Sequence, residues 1–406
     1  MKMCFGSPGK QRPWVNRVAG HIHDPIARLR FLKTIAGDGG KRPGWLRFAG
    51  LMRKRQDIWS PAQAARTAQP WLRHWVPVSL GLAVALGLIV ILWPRAKPKA
   101  APETLVAAAA NRKPASDAAI RAEAAQVWLV EKKSETETYS NGLQVETHFS
   151  SSTHPRSYLV FPVNGGRPAH HDQPAGIVFH TTESPQAPFE ASANGMLKRI
   201  GESLLEYVRR KQAYNFVIDR FGRVYRVVPE ADAANHSGKS AWADQDWAYI
   251  NLNESFLAVA FEAASPQKGQ ELQINPAQVR SAAILVEWLR SRYRIPAANC
   301  VVHAQVSVNP AAMLVGVHVD WASGFPFEEI GLPDNYLLPL PAVWAYGFDC
   351  DANFTGKTGP RMRTGIEAGR AVLSTKAADA GLSMQEYRKR LQQRFGEMKA
   401  AVMRAQ

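Results

Sequence analysis

A short apolar segment that ends in a histidine limits how this 406-residue chain can fold. Residues 176–179 are apolar throughout, which is typical of a strand buried on both faces of a sheet, and His180 follows them directly. Residues 255–262 predict a buried central strand. Residues 300–303 predict a further strand that ends in His303.

Helical patterns lie between these strands. One covers about residues 193–211. Another begins with Pro276 after the capping residue Asn275, and it ends before Pro296. Strands that alternate with helices indicate an α/β fold with a mixed central β-sheet flanked by helices.

The segment before the first of these strands carries β signals of its own. Asn141-Gly142 lies between alternating apolar and polar positions, which predicts a hairpin turn. Residues 158–161 predict another strand. We therefore expect a β extension at the start of the folded domain.

Residues 75–94 contain no charged side chain. As a helix they would span about 30 Å at about 1.5 Å per residue, which is the thickness of a bilayer core. Trp75 and Trp93 lie where interfacial aromatic residues are common. The pattern predicts a single transmembrane helix at 74–94, too far from the start for an ordinary signal peptide.

The net charge of +16 belongs to the segment before and around this span. Residues 1–99 hold 18 Lys and Arg against 3 Asp and Glu, whereas the other residues hold 32 against 31. The basic tail favours a cytoplasmic N-terminus. A folded body that is nearly neutral argues against a nucleic-acid partner.

The chain is divided by these features into five parts. They are a basic tail, a transmembrane helix, an Ala- and Pro-rich linker, a folded domain with its β extension, and a mainly helical C-terminal extension. We place them at 1–73, 74–94, 95–125, 126–335 and 336–406. Of the three cysteines, Cys300 and Cys350 either pair in an oxidising compartment or remain two separate thiols.

Two histidines and a carboxylate on separate segments are suited to an open zinc site, in which water or substrate takes the fourth position. His180 and His303 end two predicted strands, and His318-Val319-Asp320 lies further along the chain. These residue types predict Zn²⁺ as the cofactor.

Five blocks of sequence occur in an order that resembles a known family. They are 177–182, 214–222, 235–242, 253–259, and Val302-His303 with Asp320 and 324–327. Together they are similar to the zinc-dependent N-acetylmuramoyl-L-alanine amidases, a family shared by phage lysozyme-type amidases and peptidoglycan recognition proteins. The resemblance covers about residues 174–332.

The resemblance implies a set of metal ligands. They would be His180, His303 and Asp320. The stretch between the last two is longer than is usual in the family, so His318 is an alternative to Asp320 as the third ligand.

The resemblance also implies catalytic residues. Tyr214 matches a tyrosine kept near the metal, and His318 stands where relatives commonly have a lysine that stabilises the oxyanion. Ala260 falls at the position of a glutamate that acts as general base in one branch. Glu262 lies on the same face of the strand and could replace it.

Three further residues match a segment that lines the substrate groove in the family. They are His236, Ser240 and Trp242. We expect them to bind substrate, with Trp242 packing on a sugar or peptide.

The function implied is hydrolysis of the amide bond between N-acetylmuramic acid and L-alanine in peptidoglycan or muropeptides. The predicted span would hold such an enzyme in the bacterial inner membrane with its catalytic domain in the periplasm. The alternative is a peptidoglycan-binding module of the same fold with weak or no catalysis, favoured by Ala260 and His318. A regulatory protein partner is plausible, but no pattern identifies it.

Overall fold

The structure, a computed structural model, describes residues 126–265 and 274–405. The predicted tail, transmembrane helix and linker at 1–125 lie outside these ranges. Within them, no helix combines the length and the apolar character that crossing a membrane requires.

Fifteen strands are present in the described ranges. They are β1 Leu129–Lys132, β2 Thr136–Tyr139, β3 Gln144–Glu146, β4 Tyr158–Pro162, β5 Ala169–His171, β6 Gly176–Thr181, β7 Phe216–Ile218, β8 Val224–Arg226, β9 Ala241–Ala243, β10 Trp247–Ile250, β11 Phe256–Phe261, β12 Cys300–Val302, β13 Val308–Asn309, β14 Leu314–Val315 and β15 Asp349–Cys350.

The same ranges contain eight α-helices. They are α1 Asn194–Lys211, α2 Leu252–Ser255, α3 Pro276–Tyr293, α4 His303–Val306, α5 Pro341–Trp344, α6 Ala352–Lys357, α7 Pro360–Asp379 and α8 Met384–Ala405. Asn275 caps α3 in a full capping box with Pro276 at the first position, as the sequence predicts.

The central sheet has eight strands in the order β1-β2-β3-β8-β7-β11-β6-β12. β7, β11, β6 and β12 run parallel to one another, whereas β1, β2 and β3 form an antiparallel meander and β7 pairs antiparallel with β8. The predicted mixed sheet is confirmed. Because the parallel strands end at one edge, the residues that follow them lie close together.

The two faces of this sheet pack against different helices. Alternate residues of β11 such as Leu257 and Val259 share one apolar cluster with Leu285 and Leu289 of α3. On the other face, Ala260 packs with Leu204 of α1. In register, Ala260 pairs with His180, so His180 lies on the α1 face.

The C-terminal helices belong to the same core as the sheet. Tyr346, Phe348 and Phe395 are buried, and they share a cluster with the apolar side chains of β6 and β11. The C-terminal extension, predicted to be mainly helical, contains the long helices α7 and α8.

β7 begins at Phe216 and does not include Tyr214, which has a left-handed backbone with φ of +62°. The alternative of a disulfide is wrong, since Cys300 and Cys350 are free thiols in the structure.

Candidate metal centre

Three side chains from separate elements meet at the carboxyl edge of the parallel strands. His180 is the penultimate residue of β6. His303 begins α4 directly after β12, and Asp320 lies in the loop after β14. All three are buried, and each offers a ligand atom within 4.8 Å of the others. The structure therefore brings together the three predicted ligands.

The carboxylate of Asp320 stands between the two imidazoles. His303 Nδ1 lies 2.8 Å from Asp320 Oδ1, and His180 Nδ1 lies 3.3 Å from Asp320 Oδ2. Ligands about 2.0–2.2 Å from a tetrahedral zinc ion are separated by about 3.3 Å. The observed spacing is close to that of a zinc ligand set.

A chain of hydrogen bonds sets the proton position on His180. His236 Nε2 lies 3.1 Å from the carbonyl of Leu252 and donates to it, because a carbonyl can only accept. His236 Nδ1 must then accept from His180 Nε2, which is 3.0 Å away. His180 Nδ1 is left without a proton and faces Asp320.

This arrangement is chemically suited to a metal ion. An unprotonated imidazole nitrogen and a carboxylate oxygen are both acceptors, so they face each other favourably only around a cation. His303 Nε2 is also buried without a hydrogen-bond partner among the described residues. Two imidazoles and one carboxylate are the donor set expected for Zn²⁺ with an open position.

The charge states at neutral pH agree with this role. Burial, followed by the charge of His303, lowers the pKa of His180 to about 4, so its ring is neutral. Burial alone would raise the pKa of Asp320, but its contacts with His303 and His180 hold that pKa well below the usual range. Asp320 is therefore ionised.

Strained backbone surrounds the centre. Tyr214, Glu183, Asn251 and Trp321 all have positive φ, between +51° and +64°. Such conformations are unfavourable for residues other than glycine and concentrate at functional sites. Trp321 directly follows a ligand, and Asn251 precedes the residue that accepts from His236.

Tyr214 and His318 are both beside the ligands, as the sequence predicts. The Tyr214 ring is 5.2 Å from the His180 ring, and the His318 ring stacks on the His303 ring at 4.7 Å. Burial, with the nearby charges of Asp320 and Glu183, raises the pKa of Tyr214, so its phenol is protonated at neutral pH. The cluster of ligand atoms includes Asp320 and not His318.

Glu262 is buried at the end of β11 but is engaged elsewhere. Its carboxylate accepts a hydrogen bond of 3.0 Å from the amide of Arg220, and it lies against Gly201 of α1. Burial raises its pKa. These contacts support the turn after β7, and no contact in the described ranges supports the predicted catalytic role.

Ser240 and Trp242 lie in the core rather than in a groove. Trp242 is 2% exposed, and its indole donates to Asn299 Oδ1 at 3.0 Å. Ser240 Oγ accepts from the amide of Leu252 and bonds Ser237. The structure encloses both side chains, and their role in binding substrate stays a prediction.

The role of His236 was missed in the sequence. It was expected to touch substrate, and its Nδ1 accepts a hydrogen bond from the candidate ligand His180. The carboxamide of Asn253 holds this segment in place by accepting from the amides of His236 and Ser237 at 3.0 and 2.8 Å. The sequence signal for a functional role of His236 was its place in the block 235–242.

Fold and site together define a mixed α/β protein with a buried His-His-Asp centre of the metal-binding kind. Residues 170–316 match the family model described as N-acetylmuramoyl-L-alanine amidase. This part of the chain is similar to that family. The match includes His180 and His303 and ends just before Asp320.

Individual relatives cover only parts of the chain. N-acetylmuramoyl-L-alanine amidase AmiD from Escherichia coli is 29% identical over 89 residues, which are 21% of this chain and 31% of the relative. The chain thus spans about a third of the length of that curated relative.

Two solved structures are among those that match parts of the chain. A complex of Escherichia coli AmiD with its substrate anhydro-N-acetylmuramic acid-L-Ala-D-gamma-Glu-L-Lys has 18% identity and a TM-score of 0.34, covering 58% of this chain and 89% of the other. Drosophila peptidoglycan recognition protein SD has 13% identity and a TM-score of 0.27, covering 41% and 86%.

We expect His236→Leu to weaken zinc binding by about 10–100-fold, because His180 would lose the acceptor that fixes its tautomer. The dissociation constant can be measured by competition with a chromophoric chelator. His236→Asn is the matched control, since its side-chain oxygen can still accept from His180 Nε2. Equal affinities in wild type and both variants would contradict this role.

Proposed function

We propose that this protein is a zinc-dependent amidase that cleaves the bond between N-acetylmuramic acid and L-alanine in peptidoglycan or its fragments. The observation that carries the proposal is the convergence of His180, His303 and Asp320, the first two of which lie in the region that matches the amidase family model. The substrate of the AmiD complex contains the same linkage, between anhydro-N-acetylmuramic acid and L-Ala.

The three ligands would hold zinc, which when bound supplies a Lewis acid that polarises a carbonyl and lowers the pKa of an attacking water. His236 fixes the tautomer of His180 through its Nδ1. Tyr214 keeps a phenolic proton that can be donated to the oxygen on which negative charge develops. The His318 ring stacks on the His303 ring, where the resemblance implies a group that stabilises the oxyanion.

The direct test is digestion of a defined muropeptide by the full chain, with mass spectrometry of the products. We expect a free peptide that begins with L-alanine and a sugar that keeps its lactyl group. Loss of this activity with a chelator, and its return with Zn²⁺, would support the zinc centre. Binding of intact sacculi without any release of peptide would instead support a binding module.

We further propose that residues 74–94 anchor the protein in the inner membrane, with the tail in the cytoplasm and the catalytic domain in the periplasm. The lack of charge in 75–94 and the basic residues of the tail support this topology. Reporter fusions to each end of the chain test it. An external N-terminus would overturn it.

Tyr214→Phe should reduce kcat by roughly 10²–10³-fold while KM and zinc content stay nearly unchanged, because only a donor to the developing oxyanion is removed. Steady-state kinetics on the muropeptide measure the change. Tyr207→Phe is the control, since Tyr207 is 46% exposed on α1 and should keep wild-type rates. An unchanged kcat in Tyr214→Phe would exclude this role.

A further inference from the structure

A hydroxyl group from the C-terminal part of the chain closes the loop that follows Asp320. Tyr336 lies in the 3₁₀ turn Asn335–Leu337 and is 1% exposed. Its hydroxyl donates to the carbonyl of Trp321 at 2.7 Å and accepts from the amide of Phe325 at 3.1 Å. The hydroxyl oxygen of Tyr336 thus links Trp321 and Phe325, the two ends of the segment that follows Asp320.

The backbone from Trp321 to Phe325 begins in an unfavourable conformation, which these two hydrogen bonds stabilise. Trp321 has φ of +59°, in the left-handed region that favours glycine. Its indole is buried and packs edge-on against Phe325 at 5.0 Å. The peptide group that joins Trp321 to Asp320 sets the direction of the Asp320 side chain, so this conformation decides where the carboxylate lies.

The ligand is also tied to the strand end that carries a second ligand. The carbonyl of Asp320 accepts from the amide of Ala304, at 3.2 Å, directly after His303. A shift of the loop would therefore change the distance between Asp320 and His303.

Other groups of the C-terminal part contact the chain on both sides of Asp320. The amide of Gly359 donates to the carbonyl of Ala322 at 3.0 Å. The Phe354 ring packs against Gly316, where a Cβ would lie 2.0 Å from it. The family match ends at residue 316, so these contacts come from chain beyond the matched region.

We propose that Tyr336 is a positioning residue for Asp320: its hydroxyl holds the loop from Trp321 to Phe325 so that the carboxylate stays aimed at His180 and His303. The inference rests on the proposed function, because it treats Asp320 as a zinc ligand. It gives the C-terminal extension a part in building the metal centre.

Tyr336→Phe tests this, since it removes one oxygen and keeps the buried ring. We expect zinc affinity to fall by about 10–100-fold, the size of effect found for groups that orient metal ligands. We also expect a changed visible spectrum in the Co²⁺-substituted protein. In the metal-free protein, the amides of Phe325 and Ala304 should exchange hydrogen faster.

Tyr346→Phe is the matched control. The Tyr346 hydroxyl is equally buried and also bonds backbone groups, donating to the carbonyl of Trp242 and accepting from the amide of Tyr249. Both substitutions leave buried backbone groups without a partner, so both should lower stability. Only the Tyr336 variant should change zinc affinity, the Co²⁺ spectrum and exchange at Phe325.

The outcomes separate this inference from the proposed function. If wild type binds zinc and the two variants bind it equally well, with the same Co²⁺ spectrum, the positioning role is overturned while the zinc centre remains. If wild type binds no zinc, both proposals are overturned. Weaker binding in Tyr336→Phe alone, with faster exchange at Phe325, supports the positioning role.

Discussion

His303→Ala should abolish zinc binding at micromolar metal and reduce amide hydrolysis by at least about 10⁴-fold, as expected when one member of a catalytic unit is removed. His303 Nδ1 lies 2.8 and 3.1 Å from the two carboxylate oxygens of Asp320. The substitution therefore removes one candidate ligand and also the contacts that hold the carboxylate of Asp320, another candidate ligand. Metal content after gel filtration and peptide release from a muropeptide measure the two effects.

His170→Ala is the control for this substitution. His170 is exposed on β5, which belongs to a separate four-stranded sheet, and its Nε2 contacts Ser157 Oγ. We expect wild-type zinc content and activity in this variant. One zinc per chain in His303→Ala would mean that the metal is bound elsewhere, and full hydrolysis without zinc would exclude metal-assisted catalysis.

Arg156→Leu should lower the free energy of unfolding by about 3–5 kcal/mol, the usual cost of breaking a buried charged network. Arg156 is 2% exposed, and its guanidinium donates only to backbone carbonyls among the described residues. They belong to Glu230, Asp232, Glu254 and Phe256. The substitution would leave these buried acceptors unsatisfied, and burial lowers the pKa of Arg156 only to about 10, so the native group is charged.

Urea unfolding of the metal-free protein measures this cost, since bound zinc would add its own stabilisation. Arg370→Leu is the control, because the Arg370 side chain is 37% exposed and pairs with the exposed Glu367. An exposed pair of this kind contributes at most about 1 kcal/mol. Equal losses in the two variants would mean that the buried carbonyls find other partners.

Local sequence patterns were sufficient for the elements that form the central sheet and its helices. The apolar run of β6 and the Asn275-Pro276 start of α3 depend on neighbouring residues alone, and both are confirmed. The turn at Asn141-Gly142 is also present, with φ of +84° at the glycine. Such features follow from periodicity and from backbone preferences.

Features that depend on distant partners could not be predicted. β15 has two residues and pairs with β14, whose partner residue Leu314 is 35 positions before Asp349. Trp242 is buried because its indole finds Asn299, 57 positions away. The left-handed conformation of Tyr214 and the bond from His180 to His236 likewise arise from tertiary contacts.

The candidate metal centre was predictable in its residue types but not in its geometry. His180 and His303 each follow a buried strand, and parallel strands bring such positions to one edge. Asp320 follows no such strand. Its position depends on a loop held by Tyr336, sixteen residues further on, which no local pattern reveals.

The most direct test of a zinc amidase is reconstitution of the metal-stripped full chain with measured amounts of Zn²⁺, following release of peptide from a muropeptide. We expect no activity without metal and a linear rise that stops at one zinc per chain, because one set of three ligands is present in the described ranges. Full activity in the stripped protein, or none at any zinc concentration, would contradict a zinc amidase.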